Sequence, residues 1–272
     1  MPDEVADNDL EETLRISYLS LLKGCLTRLI FMNDGPGRDN EALAERRRLR
    51  ESGLDWPGQA ETMIGMVRLE CIQACVQKAI REGVPGDLLE AGVWRGGAAI
   101  FMRALLLAFG DRSRVVWVAD SFEGLPPPDS EHFTQDSIDL SGYKELAVGL
   151  DEVKANFARY NMLDDRVRFL KGLFKDTLSA APIERLAVLR LDGDYYESTI
   201  QCLESLYGKV SPGGFVLVDD YFVLEPCRQA VEDFRVANSI YDELVTVGVR
   251  PGTDDPRGVG SSVYWRKRGS GD

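Results

Sequence analysis

The 272-residue chain is 44% hydrophobic, which suits one large domain or a domain with an appendage. Its formal net charge of −13 repels phosphate backbones and argues against a nucleic-acid partner. Five scattered cysteines without a CxxC pair indicate free thiols in a reducing compartment rather than a disulfide framework or a zinc site. The first residues lack an apolar signal core, and no stretch is long and uncharged enough to cross a membrane. We therefore expect a cytoplasmic protein without a membrane partner.

The N-terminal region, residues 1–84, is predicted to be helical and to contribute a lid. Residues 14–31 place apolar side chains near one face at helical spacing, which indicates a packing or dimer helix and predicts a homo-oligomer, a dimer. Residues 40–59 form a charged pattern that Pro57 and Gly58 interrupt, and residues 61–86 predict a second amphipathic helix that ends near Gly83 and Pro85. The face in the first helix consists of Leu14, Tyr18, Leu21, Leu22, Cys25 and Leu29.

Residues 85–272 predict an α/β domain with a doubly wound, mostly parallel sheet covered on both faces, because apolar strand-like runs alternate with helical runs. The last two strand-like runs are joined by a loop instead of a helix, so the C-terminal strand is predicted to be antiparallel. Residues 122–149 contain three consecutive prolines and no clear period, which is typical of a lid or binding loop. The predicted strands are 87–93, 114–120, 166–172, 186–193, 214–221, 243–249 and 261–267; the predicted helices are 97–109, 150–160, 197–208 and 225–238.

The turn after the first of these strands indicates a nucleoside ligand. In open parallel sheets, ligands bind beyond the carboxyl ends of the strands, where Glu90, a glycine-rich turn and then Asp120 appear in order. The turn has neither the GxGxxG spacing nor a P-loop, and an acid at Asp120 suits ribose hydroxyls but not a 2′-phosphate. S-adenosylmethionine has a ribose, a cationic tail and no phosphate. Asp120 could instead be a turn cap, and Phe174, next to Lys175, could equally be a core residue or an adenine contact.

Two later strands end in acids: Asp192 follows one of them, and Asp219 and Asp220 follow the next. Right-handed crossovers make such strands neighbours, so these carboxylates should meet and repel one another unless a cation joins them. Oxygen ligands favour Mg²⁺, Mn²⁺ or Ca²⁺ over zinc. The alternative is helix or turn capping, which we favour for Asp194. The single histidine, His132, is a minor candidate for a base if its loop closes.

Four segments resemble the macrocin O-methyltransferase (TylF) family: "PGDLLEAGVWRGGAAIFMRA", "VWVADSFEGLPPPD", "LDGDYYEST" and "SPGGFVLVDDY". The resemblance implies a class I methyltransferase fold, S-adenosylmethionine as donor and Mg²⁺ as cofactor. It also implies a glycosylated small-molecule substrate, methylated on a deoxysugar hydroxyl in antibiotic biosynthesis.

The resemblance also implies roles for individual residues. The cofactor set is Thr62, Met63, Glu90, Ala91, Gly92, Val93, Trp94, Asp120, Ser121, Phe122, Gly124, Phe174 and Lys175. Within it, residues 90–94 would line the methionine side, and Thr62 and Met63 would close over the cofactor. The metal ligands would be Asp192, Asp219 and Asp220, with Asp192 also the general base.

Two other functions remain open. A catechol- or phenol-type O-methyltransferase would share the fold and the metal site, although such enzymes often present a lysine near the metal and "GDYYES" after Asp192 has none. A non-catalytic nucleoside-binding protein or scaffold is the more distant alternative.

Overall fold

The structure is a computed structural model that describes residues 2–32, 40–248 and 262–269, with only the backbone described for residues 2–8 and 40. The helices are α1 (Pro2–Leu26), α2 (Asn40–Ser52), α3 (Gly65–Arg81), α4 (Gly97–Ala108), α5 (Leu150–Arg159), α6 (Phe174–Thr177), α7 (Tyr196–Leu206) and α8 (Glu225–Ala237). The strands are β1 (Asp87–Ala91), β2 (Val116–Asp120), β3 (Val167–Lys171), β4 (Leu186–Leu191), β5 (Val210–Val218), β6 (Val245–Thr246) and β7 (Val263–Arg266).

The seven strands form one sheet in the order β3-β2-β1-β4-β5-β7-β6. The first five pair in parallel, whereas β7 lies antiparallel between β5 and β6. The predicted doubly wound, mostly parallel sheet with an antiparallel C-terminal strand is therefore confirmed. Because strand order reverses between β1 and β4, the carboxyl ends of these two strands flank the crevice in which such sheets bind ligands.

Both faces of the sheet are buried, as near-continuous apolar strands require. Along β1, Leu88 packs into one core and Leu89 into the other, because successive side chains point to opposite faces. The first core is completed by α1, α3, α4 and α5, and the second by α7 and α8. Helices thus hold the strand ends rigidly, and the loops beyond those ends are free to form a site.

The N-terminal helix buries a different face from the one predicted. Leu19, Leu22 and Leu26 are buried in the first core, whereas Leu14 and Leu21 are exposed. The predicted stripe had combined positions from both sides of the helix. Because α1 shares a core with the sheet, the division into regions 1–84 and 85–272 stays a prediction.

The long connection between β2 and α5 is present as predicted, and its one helical element is a three-residue 3₁₀ turn, Lys144–Leu146. Other boundaries differ. β5 begins at Val210, earlier than predicted, because a register shift against β4 admits the segment around Pro212. The predicted strand 243–249 shortens to Val245–Thr246 and its end lies outside the described residues, as does residue 261.

Among the described helices, none combines the length and the apolar character that a membrane span would need.

Candidate active site

The acids predicted at the strand ends meet at one edge of the sheet. Glu90 lies on β1 and Asp120 ends β2, while Asp192 and the pair Asp219–Asp220 follow β4 and β5. Backbone bonds align these ends: the Asp192 amide donates to the Ala91 carbonyl at 2.8 Å, and the Asp219 amide donates to the Leu191 carbonyl at 2.9 Å. Adjacent parallel strands therefore bring the acids together.

A cavity of about 510 Å³ opens at this edge and joins the two halves of the predicted site. The predicted residues that line it are Thr62, Met63, Glu90, Gly92, Val93, Trp94, Asp120, Ser121, Gly124, Phe174, Lys175, Asp192, Asp219 and Asp220. Ala91 and Phe122 are not among the lining residues. Ala91 is fully buried within β1, and the ring of Phe122 packs against Phe169 with centroids 6.3 Å apart.

Glu90 is a buried carboxyl whose two oxygens differ in their hydrogen bonding. Its Oε1 accepts a hydrogen bond from Arg190 Nη1 at 2.5 Å, whereas Oε2 is buried and has no hydrogen-bond partner within the described part of the chain. Burial raises the pKa of Glu90 to about 8, against the opposing effect of the Arg190 guanidinium. A buried acceptor without a partner is costly, so this oxygen is suited to a ligand's donor or positive charge.

Asp120 is held by the backbone of both neighbouring turns. Its Oδ2 accepts from the Val93 amide at 2.7 Å and its Oδ1 from the Phe122 amide at 2.8 Å. Burial raises its pKa while these amides lower it. The turn-capping alternative is thus present in the structure, and the same bonds fix the carboxylate where the cavity reaches it.

The glycines of the first turn serve contact between chain segments. Gly92 has φ +82°, and a Cβ there would lie 1.8 Å from the Asp192 carbonyl oxygen. A Cβ on Gly97 would lie 2.5 Å from the carbonyl oxygen of Glu61. Gly92 therefore allows β1 and β4 to approach closely at the crevice, while it also lines the cavity.

The segment that carries Thr62 and Met63 is anchored over the cavity by Glu61. This side chain is 2% exposed and accepts hydrogen bonds from Arg28 (2.9 Å), Arg159 (3.1 Å) and the Tyr160 hydroxyl (2.9 Å). Charge-assisted bonds of this kind are the stronger ones in proteins. Glu61 therefore ties this segment to the turn that follows α1 and to the end of α5.

Helix α6, which the sequence did not predict, forms a wall of the cavity on the side of the predicted cofactor residues Glu90 and Asp120. Phe174 begins this short helix, and its ring would lie 3.4 Å from a Cβ placed on Gly193. Lys175 approaches Glu197 at 3.8 Å. Both residues line the cavity, as the adenine-contact alternative requires of them, so Phe174 is not a core residue alone.

At the acidic end of the cavity, three carboxylates converge. Asp192, Asp194 and Asp220 each offer an oxygen, and these atoms lie within 4.8 Å of one another. Asp220 Oδ2 is buried and has no hydrogen-bond partner among the residues described. Burial and the neighbouring acids raise the pKa of Asp220 well above its usual range and that of Asp194 to about 7. Such mutual repulsion favours a bound cation.

Guanidinium groups engage both oxygens of Asp219, the third predicted metal ligand. Arg190 Nη2 donates to Oδ1 at 2.6 Å, and Arg68 Nη1 donates to Oδ2. Arg68 also donates to the carbonyl oxygens of Ile64 (2.8 Å) and Gly53 (2.9 Å). In this arrangement two positive charges stand among the acids, and Asp219 is paired instead of joining the cluster of Asp192, Asp194 and Asp220.

The expected helix cap is corrected, whereas the minor candidate His132 stays a prediction. Asp194, expected to cap the helix that follows it, makes no cap; Asp136 from the long loop accepts from the amides of Tyr196 (2.6 Å) and Glu197 (3.0 Å) instead. Asp194 has a left-handed backbone, φ +63°, and points into the acidic cluster. His132 has a 71% exposed side chain paired with Asp129 and is not among the cavity-lining residues.

An apolar mouth opens beside the acidic cluster. Trp56 and Tyr143 meet edge to face with ring centroids 5.4 Å apart, and both are about half exposed. Leu54 and Val223 line the same cavity and are also exposed. Exposed aromatic and apolar side chains at a cavity mouth are typical of a surface that receives an apolar ligand.

Comparison with known proteins identifies the family. A family model described as macrocin O-methyltransferase (TylF) matches residues 17–267. The chain belongs to the macrocin O-methyltransferase (TylF) family. It is accordingly an O-methyltransferase, and the predicted family is confirmed.

Individual relatives of this O-methyltransferase match along nearly their whole lengths. It is 48% identical over 263 residues to the 8-demethyl-8-(2,3-dimethoxy-alpha-L-rhamnosyl)-tetracenomycin-C 4'-O-methyltransferase of Streptomyces olivaceus, covering 94% of this chain and 95% of that protein. It is 48% identical over 256 residues to the mycinamicin III 3''-O-methyltransferase of Micromonospora griseorubida, covering 92% and 96%. The solved structure of the O-methyltransferase NovP is 44% identical and superposes with a TM-score of 0.83, covering 94% and 100%.

Several site residues of this O-methyltransferase were missed from sequence. Arg190 had a visible signal, since it is the one charged residue within the apolar run "LAVLRL", and a buried strand seldom carries an unpaired charge. Arg68 and Asp136 carried none, because one lies on an amphipathic helix and the other in a loop without period.

Proposed function

We propose that this O-methyltransferase transfers a methyl group from S-adenosylmethionine to a deoxysugar hydroxyl of a glycosylated natural product, with Mg²⁺ as cofactor, in antibiotic biosynthesis. The observation that carries the proposal is a single cavity that joins Glu90 and Asp120 to the acidic cluster. The named relatives act on glycosylated antibiotic intermediates, which supports the same substrate class here.

The residues present fit the donor. Glu90 offers a buried oxygen without a partner to its cationic methionine end, and Asp120 offers a fixed carboxylate to its ribose hydroxyls. Thr62 and Met63 lie on the segment that Glu61 anchors over the cavity. The remaining proposed contacts are Gly92, Val93, Trp94, Ser121, Gly124, Phe174 and Lys175. Ala91 and Phe122 would act through the shape of the wall.

The residues also fit a hard divalent cation. All the candidate ligands are carboxylate oxygens, and Asp220 has one that is buried without a partner. We propose Asp192, Asp219 and Asp220 as ligands, with the Arg68 guanidinium as the stand-in cation at Asp219 in this structure. Asp194 would add negative charge beside them.

The chain's own residues would orient the sugar hydroxyl and receive its proton. When bound, S-adenosylmethionine supplies an activated methyl group, and Mg²⁺ makes a nearby hydroxyl more acidic. Asp192 would accept the proton, although carboxylates in general are weak bases for an alcohol with a pKa of about 15. Positioning by the cavity walls would therefore supply more of the rate, since orientation is worth up to about 7–11 kcal/mol against about 3–5 kcal/mol for general-base help.

The test is methyl transfer to a panel of glycosylated antibiotics, read by mass spectrometry and compared with a catechol. We expect a mass gain on glycosides only, loss of turnover with EDTA, and recovery when Mg²⁺ is added back. Asp192→Asn should abolish turnover while calorimetry still detects adenosylhomocysteine binding. Methylation of catechol alone would favour the phenol-type enzyme, and full turnover after thorough chelation would refute the metal role.

Self-association and a cytoplasmic location are further parts of the proposal. Leu10, Leu14 and Leu21 form an exposed stripe on α1, which would suit a dimer contact. Sedimentation of Leu14→Glu beside the unaltered protein tests this: we expect the variant to be monomeric, and an unchanged oligomer would reject the stripe as the contact.

A further inference from the structure

A buried carboxylate attaches the middle of the 122–149 loop to the start of α7. The turn that leads from β4 into this helix carries Asp192 and Asp194 and is called the acidic turn below. Asp136 is fully buried, with Oδ1 2.6 Å from the Tyr196 amide and Oδ2 3.0 Å from the Glu197 amide. These amides belong to the first turn of α7, whose own N-cap residue, Tyr195, provides no side-chain acceptor. Asp136 therefore satisfies two helix donors that would otherwise be unpaired, from 60 residues away in sequence.

Two neighbouring contacts support the same attachment. The Tyr195 hydroxyl, in a side chain that is 3% exposed, accepts a hydrogen bond from the Leu140 amide at 2.8 Å. The rings of Phe133 and Tyr196 lie with centroids 6.2 Å apart. Residues 133–140 thus pack on residues 195–197 through hydrogen bonds and apolar contact together.

The element held in this way is the turn from β4 to α7, which carries Asp192 and Asp194. Its first residue is fixed by β1, because the Asp192 amide donates to the Ala91 carbonyl. Its far end is fixed by Asp136. Between them Asp194 has φ +63°, a conformation that a non-glycine residue keeps only when its surroundings impose it.

We propose that Asp136 is a positioning residue for the proposed metal ligand Asp192 and for Asp194 beside it, and that it couples closure of the 122–149 loop to the arrangement of these two acids. The inference rests on the proposed function, in which Asp192 is a ligand. A carboxylate at a helix N-terminus is stabilised by the helix dipole as well as by its two hydrogen bonds. Without it the first turn of α7 loses its acceptor, and the acidic turn is supported at one end only.

Coupling of this kind is reciprocal, so a cation that orders the turn also holds the loop down. Hydrogen exchange of residues 130–140 should therefore slow when the cation binds. This behaviour distinguishes a positioning role from a merely structural one, because general support of the fold would not make loop protection depend on the cation.

The experiment compares Asp136→Ala with Asp139→Ala, a matched control in the same loop whose exposed carboxylate accepts from the nearby Ser141 amide at 2.8 Å. Mn²⁺ affinity is measured by calorimetry with adenosylhomocysteine present, and exchange of residues 130–140 is followed with and without Mn²⁺. We expect Asp136→Ala to bind Mn²⁺ about ten-fold more weakly and to lose the Mn²⁺-dependent protection. The control should stay within about two-fold of the unaltered protein.

Each outcome separates the two proposals. Equal Mn²⁺ affinity in Asp136→Ala and the unaltered protein, even with reduced thermal stability, overturns the positioning role alone. Failure of the unaltered protein to bind Mn²⁺ overturns it together with the metal part of the proposed function. If Asp136→Ala does not fold, Asp136→Asn keeps one acceptor oxygen and should show an intermediate loss of affinity; unchanged affinity there carries the same refutation.

Discussion

Replacement of Asp194 by asparagine should change how the stability of the metal-free protein depends on pH. Burial and the charge of Asp192 raise the pKa of Asp194 from 3.8 to about 7 in the folded state. An unfolded chain has already lost this proton near pH 4, so the free energy of unfolding falls as pH rises from there to about 7. Asparagine does not titrate, so the variant should lack this loss.

The magnitude follows from the pH interval. Where only the folded state holds the proton, the free energy of unfolding falls by about 1.4 kcal/mol for each pH unit. The interval from about pH 5 to about pH 7 therefore corresponds to about 3 kcal/mol. The asparagine amide can still donate a hydrogen bond to a neighbouring carboxylate, so the variant removes the charge and the titration and keeps a polar group in the cluster. The charge of Asp194 raises the pKa of Asp220 too, so its removal acts in the same direction there.

The assay is urea unfolding of EDTA-treated protein at about pH 5 and about pH 8. The quantity compared is the free energy of unfolding of Asp194→Asn minus that of the unaltered protein. This difference should change by about 3 kcal/mol in favour of the variant between the lower and the higher pH, and added Mg²⁺ should reduce the change at the higher pH. Asp139→Asn is the control, because Asp139 is exposed and its hydrogen bonds to Ser141 lower its pKa, so it stays ionised at both. A stability difference independent of pH would refute the reasoning.

The remaining predictions concern single residues of the site. Arg190→Met should lower the free energy of unfolding by about 3–5 kcal/mol in urea, because buried carboxylates lose their partner; a loss below about 1 kcal/mol would contradict this. Asp120→Asn should weaken adenosylhomocysteine binding about ten-fold in calorimetry while Mn²⁺ affinity is unchanged, and equal donor affinity would reject the ribose assignment. Gly97→Ala should cost about 1–3 kcal/mol because its Cβ would press on Glu61, whereas Gly58→Ala, with open space around it, should melt like the unaltered protein.

The fold was predictable because its signals are local and repeated. Apolar runs such as "VWVAD" end at Asp120 in both the prediction and the structure, and the absence of a helix before the last strand correctly indicated an antiparallel partner. Boundaries failed where tertiary contacts decide them. The start of β5 depends on a register shift against β4, and the buried face of α1 depends on where the sheet lies.

The site was predictable only in part, for a different physical reason. Strand order alone brings Asp192 and Asp220 together, so a sequence that shows the strands also shows these acids. The ion pairs of Arg68 and Arg190 join positions up to 151 residues apart, and no short-range pattern records them. Likewise, Asp194 had the position of a helix cap, but Asp136 reached the same amides from the long loop.

The 122–149 loop is attached on both sides of the crevice. Asp136 attaches it to the acidic turn. On the other side, the indole of Trp94, in the turn between β1 and α4, donates to the Glu145 carbonyl at 2.8 Å. Under the proposed function, a donor molecule would lie beneath this loop and would exchange only when these bonds break. The mouth between Trp56 and Val223 stays open to solvent meanwhile. The proposed function then predicts an ordered kinetic scheme, with the nucleoside bound first and released last, and with the sugar-bearing substrate entering and leaving in between.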